Sequence, residues 1–499
     1  MKKSENRILT THVGSLPRNP VLSEMLIRQE QGEAINLAEL ERASADAVQH
    51  VVQKQLDAGV DIGNDGEQPR IGFQTYVPQR MRGFGGESKR PIPQDMREFP
   101  DFMAIMQKRQ MARAKVFNAP EAVSEVRYED LSGVQQECTL FRYCLDQASQ
   151  PFVEPFMTAA SPGIICTTML NAYYDSHERY VFAVAEQMRK EYEYIHAQGF
   201  VLQLDAPDLA MERTFLYQDN STQEFQKIVE MHIAAMNQAI RNLPRDRVRL
   251  HVCWGNYDGP HNHDVPLADI LPILYQAKVG ALSLEMSNPR HQHEYKVFKQ
   301  YKLPTSMILI PGVIDSTTNY IEPAEVVADR ICQVVDVVGD RTRVIAGSDC
   351  GFGTFAGWEM VAEGVVWAKL KACSDGARLA TQRLWGKGGL KATSAATKSK
   401  KAVAKQQSGK TAKAGRKVAT KKTAAKTIRQ PAKKVPVKKV AARKMAAKKT
   451  AAKTIRQPVK KGTVKKVAAK KVTAKKAARR GRSGQKKVKS QKAKVKGQK

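Results

Sequence analysis

His251 and Cys253 stand two residues apart in the apolar run 249–254 (RLHVCW), a spacing that puts both side chains on one face of a β-strand. Glu285 closes the next apolar run, 281–286 (ALSLEM), and Cys350 closes a later one, 344–350 (VIAGSDC). An imidazole, two thiols and a carboxylate gathered at one point form a mixed N, S and O donor set that suits tetrahedral Zn²⁺. Mg²⁺ and Ca²⁺ take oxygen ligands, so the two sulfurs argue against them. Zinc held by two thiolates and a carboxylate is electron-rich and activates water poorly. It is better suited to holding a substrate thiol as a thiolate that stays nucleophilic. The chemistry expected is therefore S-alkylation, in which a thiolate attacks an electrophilic carbon. His-x-Cys alone reads more readily as a core histidine beside inert thiols; all four residues standing at ends of apolar runs reverses that in favour of the metal.

Positioning those residues requires a scaffold whose strand ends converge. Eight short apolar runs read as buried strands: 10–16, 60–67, 154–160, 201–207, 249–254, 281–286, 307–315 and 344–350. Helical periodicity fills the spaces between them, for example over 176–198 and 222–242. Eight β-then-α units predict an α/β fold, a closed (β/α)8 TIM barrel. The runs end in Ser15, Glu67, Asp205, His251 with Cys253, Glu285, Asp315, and Asp349 with Cys350. In a barrel all of these meet at one mouth. The gap between Glu67 and Glu154 exceeds one unit and must hold an excursion. Its stretch 80–90 (RMRGFGGESKR) reads as a long active-site loop, and Arg70, Arg80, Arg82 and Arg90 would suit a sulfonate, a carboxylate or folate glutamates. The pairs His261/His263 and His291/His293 read as solvated loop histidines near that mouth.

The motifs THVGSLPR, NDGE (64–67), LQLDAP (202–207), HVCWGN (251–256), LSLEM (282–286), PGVID (311–315) and SDCGFG (348–353), in this order, resemble the catalytic barrel of cobalamin-independent methionine synthases. The resemblance spans residues 8–385 and extends to epoxyalkane:coenzyme M transferases. It implies a zinc-dependent methyltransferase with the metal on His251, Cys253, Glu285 and Cys350. It also implies that Glu67 and Asp205 grip the amino group of homocysteine, that Ser15 meets its carboxylate, and that Asp315 belongs to the catalytic set. The methyl donor would be 5-methyltetrahydrofolate or another compound. Three features depart from the full-length pattern. The duplicated N-terminal barrel is absent, Thr317 replaces a histidine that protonates the departing folate, and Ala206-Pro207 replaces an acidic doublet. Two alternatives stand beside the methyltransferase: thiol alkylation of the coenzyme M type, and a nucleoid-associated protein with a non-catalytic barrel.

The formal charge of +33 on 499 residues is unevenly spread. Residues 391–499 hold 41 Lys or Arg and no Asp or Glu, against 41 basic and 49 acidic residues before them. The sequence therefore divides into a barrel, 1–386, and a Lys/Ala-rich tail, 387–499, with KKTAAKTIRQP repeated at 421–431 and 448–458. With no aromatics and an apolar content that is mostly Ala and Val, such a tail is expected to be disordered, and to bind nucleic acid or other polyanions through phosphate neutralisation alone. All seven Cys precede it in no disulfide-like spacing, and no apolar stretch is long enough for a membrane span. The expectation is a cytoplasmic enzyme, free of membranes and held at the nucleoid by its tail.

Overall fold

The computed structural model describes residues 1–108 and 118–386; the repeats and the rest of the basic tail lie outside the described residues. Two strands, β1 (Met81–Gly85) and β2 (Glu121–Tyr128), pair antiparallel. Six parallel strands follow in sheet order: β3 (Phe156–Ala160), β4 (Val201–Asp205), β5 (Val248–Val252), β6 (Ala281–Leu284), β7 (Ile308–Ile314) and β8 (Gly347–Ser348). Runs 10–16 and 60–67 close the ring between β8 and β3. Thr10 bridges Ala346, Thr11 bridges Ile62, and Phe156 N–H donates to Gly63 C=O at 3.0 Å. Eight positions thus form a (β/α)8 barrel. The first two runs make single bridges rather than full strands. Asp61 is one reason: its carboxylate accepts the Thr10 N–H at 2.9 Å, an amide that would otherwise extend the ladder.

Parallel strands are covered on both faces, which is why each reads as a near-continuous apolar run. Outward-facing Leu202, Leu204, Leu250, Leu282 and Leu284 pack into the main core against the helices. Inward, alternate residues stack in layers. Leu9, Ile62, Phe156, Val201, Ala281, Ile308 and Ile345 make an apolar floor. Above it lies a polar layer, where Arg249 donates to Gln203 Oε1 at 2.6 Å and to Thr11 Oγ1 at 3.1 Å, over the Phe156 ring. The next inward residues along β4 and β5, Asp205 and His251, are paired in register. Two residues per step therefore carry each strand from floor to mouth.

The expected helices 176–198 and 222–242 are His177–Ala197 and Thr222–Ala239. The second begins at a capping box. Ser221 Oγ accepts from Glu224 N–H at 3.2 Å and the Glu224 carboxylate accepts from Ser221 N–H at 2.7 Å, a pairing worth about 1 kcal/mol. Phe225, Val229, Ile233 and Met236 form its buried stripe.

The excursion departs from expectation. Residues 81–85 are a strand, not a loop, and short helices Gln94–Glu98 and Pro100–Lys108 follow. Its arginines are mostly not anion receptors. Arg70 and Arg80 are buried on Glu137, and Arg80 also reaches Glu191 at 3.2 Å. Arg82 pairs with Glu129 at the surface. Arg90 does reach the barrel mouth, ion-paired to the buried Glu212.

Candidate active site

One cleft at the mouth is lined by Ser15, Glu67, Asp205, His251, Cys253 and Cys350. Six of the eight residues singled out from the sequence are thus brought together.

His251, Cys253 and Cys350 offer donor atoms within 4.8 Å of one another, a group that could hold a metal ion. The two sulfurs lie 3.5 Å apart, and Gly255 N–H donates to Cys253 Sγ at 3.3 Å. Their shared hydrogen bond splits their acidities. Together with His251 it draws the Cys350 thiol down to about 6, while the same bond and burial push Cys253 well above the usual thiol range. Both ring nitrogens of His251 are buried without a hydrogen-bond partner. A buried imidazole with two unmet nitrogens beside two sulfurs fits a soft-ligand metal such as zinc.

Glu285 stands beside this group rather than within it. Its Oε1 accepts from Trp254 N–H at 2.8 Å, and its Oε2 accepts from Asn288 Nδ2 at 2.8 Å and from Arg290 Nη2 at 3.0 Å. Arg290 in turn reaches Asp264, which also holds His261 and His291. These two histidines are therefore buried structural partners, while His263 and His293 do reach solvent. Asp315 does not line the cleft. Its carboxylate accepts from Thr317 N–H and Oγ1 and from Thr318 Oγ1 at 2.8–3.0 Å. It fixes the turn that carries the neighbouring Ser316 into the wall.

Glu67 is placed by strain. It adopts φ 56°, a left-handed conformation that a non-glycine residue seldom takes outside functional sites, directly after Gly66 at φ 67°. Its Oε1 accepts from Thr158 Oγ1 at 3.0 Å, and its Oε2 is buried without a partner. Burial raises its pKa against the pull of Arg70 and Arg18. Burial and the Glu67 charge push the Asp205 carboxyl up to about 8. Gln203 Nε2 donates to Asp205 Oδ1 at 2.7 Å. Ser15 packs under the turn after β8, and Gly353 N–H approaches its Oγ at 3.4 Å.

Residues 159–370 match the family described as cobalamin-independent synthase, catalytic domain. Over that stretch the barrel is similar to the catalytic domain of cobalamin-independent synthases. Methionine synthase of Saccharolobus solfataricus is 22% identical over 380 residues, covering 76% of this chain and 96% of the relative. That of Sulfolobus acidocaldarius is 25% identical over 343 residues, 68% of this chain and 85% of the relative. A B12-independent methionine synthase structure from Shewanella, in complex with selenomethionine, shares the fold with TM-score 0.57 and 22% identity, over 76% of this chain and 99% of that one. A structure from Listeria monocytogenes, described as a vitamin-B12-independent methionine synthase, gives TM-score 0.51 at 18% identity, over 76% and 100%. The supporting groups behind the cleft were the part sequence reasoning missed. Gln203 and Arg249 each lie two positions before a site residue on the same strand face, and that period of two was the available signal. Thr158, Arg70 and Arg290 carried no such signal.

Proposed function

We propose that this chain is a zinc-dependent S-methyltransferase that methylates the thiol of homocysteine to give methionine. The observation that carries this reading is the buried acid pair. Glu67 and Asp205 share a cleft with the His/Cys/Cys group, and burial together with the Glu67 charge raises Asp205 to about 8. A substrate ammonium supplies that cation. A thiol that carries an ammonium fits both ends of the cleft. Coenzyme M, which has a sulfonate and no ammonium, would meet two carboxylates and gain nothing from them.

In this reading His251, Cys253 and Cys350 hold zinc, with Glu285 as the fourth donor and Arg290 and Asn288 orienting its carboxylate. Bound zinc would lower the pKa of the substrate thiol while leaving the sulfur nucleophilic. Glu67 Oε2 and Asp205 hold the amino group, with Thr158 and Gln203 fixing their outer oxygens. Ser15 Oγ and the Gly353 N–H meet the carboxylate. Asp315 serves by holding the turn of Ser316. Residues 1–386 form the catalytic unit and 387–499 a separate basic segment that binds nucleic acid or other polyanions, placing the enzyme where these are dense.

Calorimetry on the zinc-loaded chain tests this. Homocysteine should bind at least about tenfold more tightly than coenzyme M, and Asp205→Asn should erase the difference. Cys350→Ser should lose stoichiometric zinc. Preference for coenzyme M, or wild-type protein that takes up no zinc, would overturn the reading.

A further inference from the structure

The acid end of the cleft is backed by a buried ionic frame. Arg70 belongs to it and uses the two edges of its guanidinium on different partners. Nε and Nη2 donate to the Glu137 carboxylate at 3.1 and 2.8 Å. Nη1 donates to Thr158 C=O at 3.0 Å and to Thr158 Oγ1 at 3.1 Å. Arg70 and Arg80 both lie over the Tyr76 ring, at 4.5 and 4.3 Å from its centroid. Arg80 ties Glu137 to Glu191, which also accepts the Tyr76 and Tyr128 hydroxyls. Two arginines against two glutamates leave this frame without net formal charge, so what it passes to the cleft is chiefly position.

The link is the Thr158 hydroxyl. It has one proton, and a guanidinium can only donate. Thr158 Oγ1 therefore accepts from Arg70 and gives its proton to Glu67 Oε1, 3.0 Å away. Glu67 is pinned at its backbone as well. Its N–H donates to Asp65 Oδ1 at 3.0 Å, and its C=O accepts from Arg18 Nη2 at 2.6 Å. The contact is closed on its other side, where a Cβ on Gly14 would fall 2.6 Å from Thr158 Cγ2 and 2.7 Å from Glu67 Oε1. Only Oε2 of Glu67 is left without a partner. Resting on the homocysteine reading, we propose that Arg70 is the positioning residue of the amino-group site. Through Thr158 it holds Glu67 with Oε2 as the one free acceptor, and so makes the cleft prefer thiols that carry an ammonium. Without that grip the Thr158 proton is free to turn elsewhere, and Glu67 is free to share a proton with Asp205 instead of meeting an ammonium.

Calorimetry on the full-length zinc-loaded chain compares homocysteine with 4-mercaptobutanoate, the same thiol without its amino group. Arg70→Lys keeps a cation beside Glu137, but a compact ammonium lacks the second edge of the fork. It should weaken homocysteine about tenfold while 4-mercaptobutanoate stays within about twofold of the parent and zinc stays stoichiometric. Thr158→Val, which removes only the hydroxyl link, should reproduce that loss, and it decides the matter even where Arg70→Lys does not fold. Thr158→Ser should keep the preference of the parent. Arg70→Lys combined with Thr158→Val should lose no more than either change alone, because both cut one path. Arg80→Lys disturbs the same frame without touching Thr158, so it should lower the melting temperature and keep the preference. Equal weakening of both thiols in Arg70→Lys, additive losses in the combined variant, or a preference that vanishes in Arg80→Lys too would make Arg70 a fold stabiliser only and overturn the proposal. A parent that binds the two thiols alike would sink the homocysteine reading itself. A parent preference that survives both Arg70→Lys and Thr158→Val would sink this inference alone.

Discussion

Asp205 keeps its proton near neutrality because burial and the Glu67 carboxylate both oppose its charge, and this has a measurable sign. Its carboxyl moves from an ordinary 3.8 to about 8 in the fold. Between those values the folded chain binds a proton that the unfolded chain does not. Stability from this group is therefore highest below about pH 4 and falls as pH rises toward 8. An ammonium seated between the carboxylates reverses the preference by favouring the charged form. Methionine, which has no thiol proton to lose, should accordingly release close to one proton per chain on binding at pH 7. Calorimetry in phosphate and in Tris reads this directly, since the two buffers take up the proton with different enthalpies. Asp205→Asn should abolish the difference. Equal enthalpies in the two buffers for the parent protein would mean that no ammonium is seated there. The same pair shows how residue-level reading works. The type and position of Asp205, His251, Cys253 and Cys350 were visible at the ends of apolar runs. The two oxygens of Glu285 committed to Trp254, Asn288 and Arg290 were not, because those partners are set by loop geometry after β5 and β6.

At the scale of elements, what the sequence made legible followed from burial on both faces. β4, β5 and β7 are buried at every position, and the ends of β4 and β5 carry cleft residues. The excursion was not legible. β1 and β2 pair across the 35 intervening residues 86–120, and β1 is rich in glycine, with Gly83 at φ 105° where the pairing shifts register. A local reading sees a basic loop there. The buried pairing of Arg70 with Glu137 is likewise a contact across 67 positions that no local pattern encodes. One junction between elements can be tested. The turn after β8 packs so closely on the first run that a Cβ on Gly351 would fall 2.0 Å from Ser15 Oγ. Gly351→Ala must displace Ser15 or the turn bearing Cys350. If Ser15 gives way, zinc content stays at the parent level while the KM for homocysteine rises about tenfold or more. Unchanged KM with intact zinc would show that Ser15 does not meet the substrate carboxylate.

At the scale of the whole chain, the charge of +33 is carried by a segment separate from the chemistry. The first 390 residues hold eight more acidic than basic residues, whereas residues 391–499 hold 41 basic residues and no acidic one. If that segment binds polyanions, as proposed, it does so by releasing condensed counterions, so affinity must fall steeply with salt and ignore base sequence. If it neutralises about ten phosphates, the logarithm of the association constant falls with a slope of roughly −9 against the logarithm of salt concentration. Affinity for duplex DNA then drops by about 10⁵ between 50 and 200 mM. With no aromatic residue after position 390, stacking on bases contributes nothing, and duplex, single strand and heparin should differ only through charge density. Removing residues 390–499 should abolish this binding while zinc content and homocysteine affinity stay unchanged, because the acids and thiols of the cleft all lie within the barrel. Salt titrations of fluorescence anisotropy on both chains measure the slope. A flat salt response, or a truncated chain that binds DNA as well as the full one, would place polyanion recognition on the barrel instead.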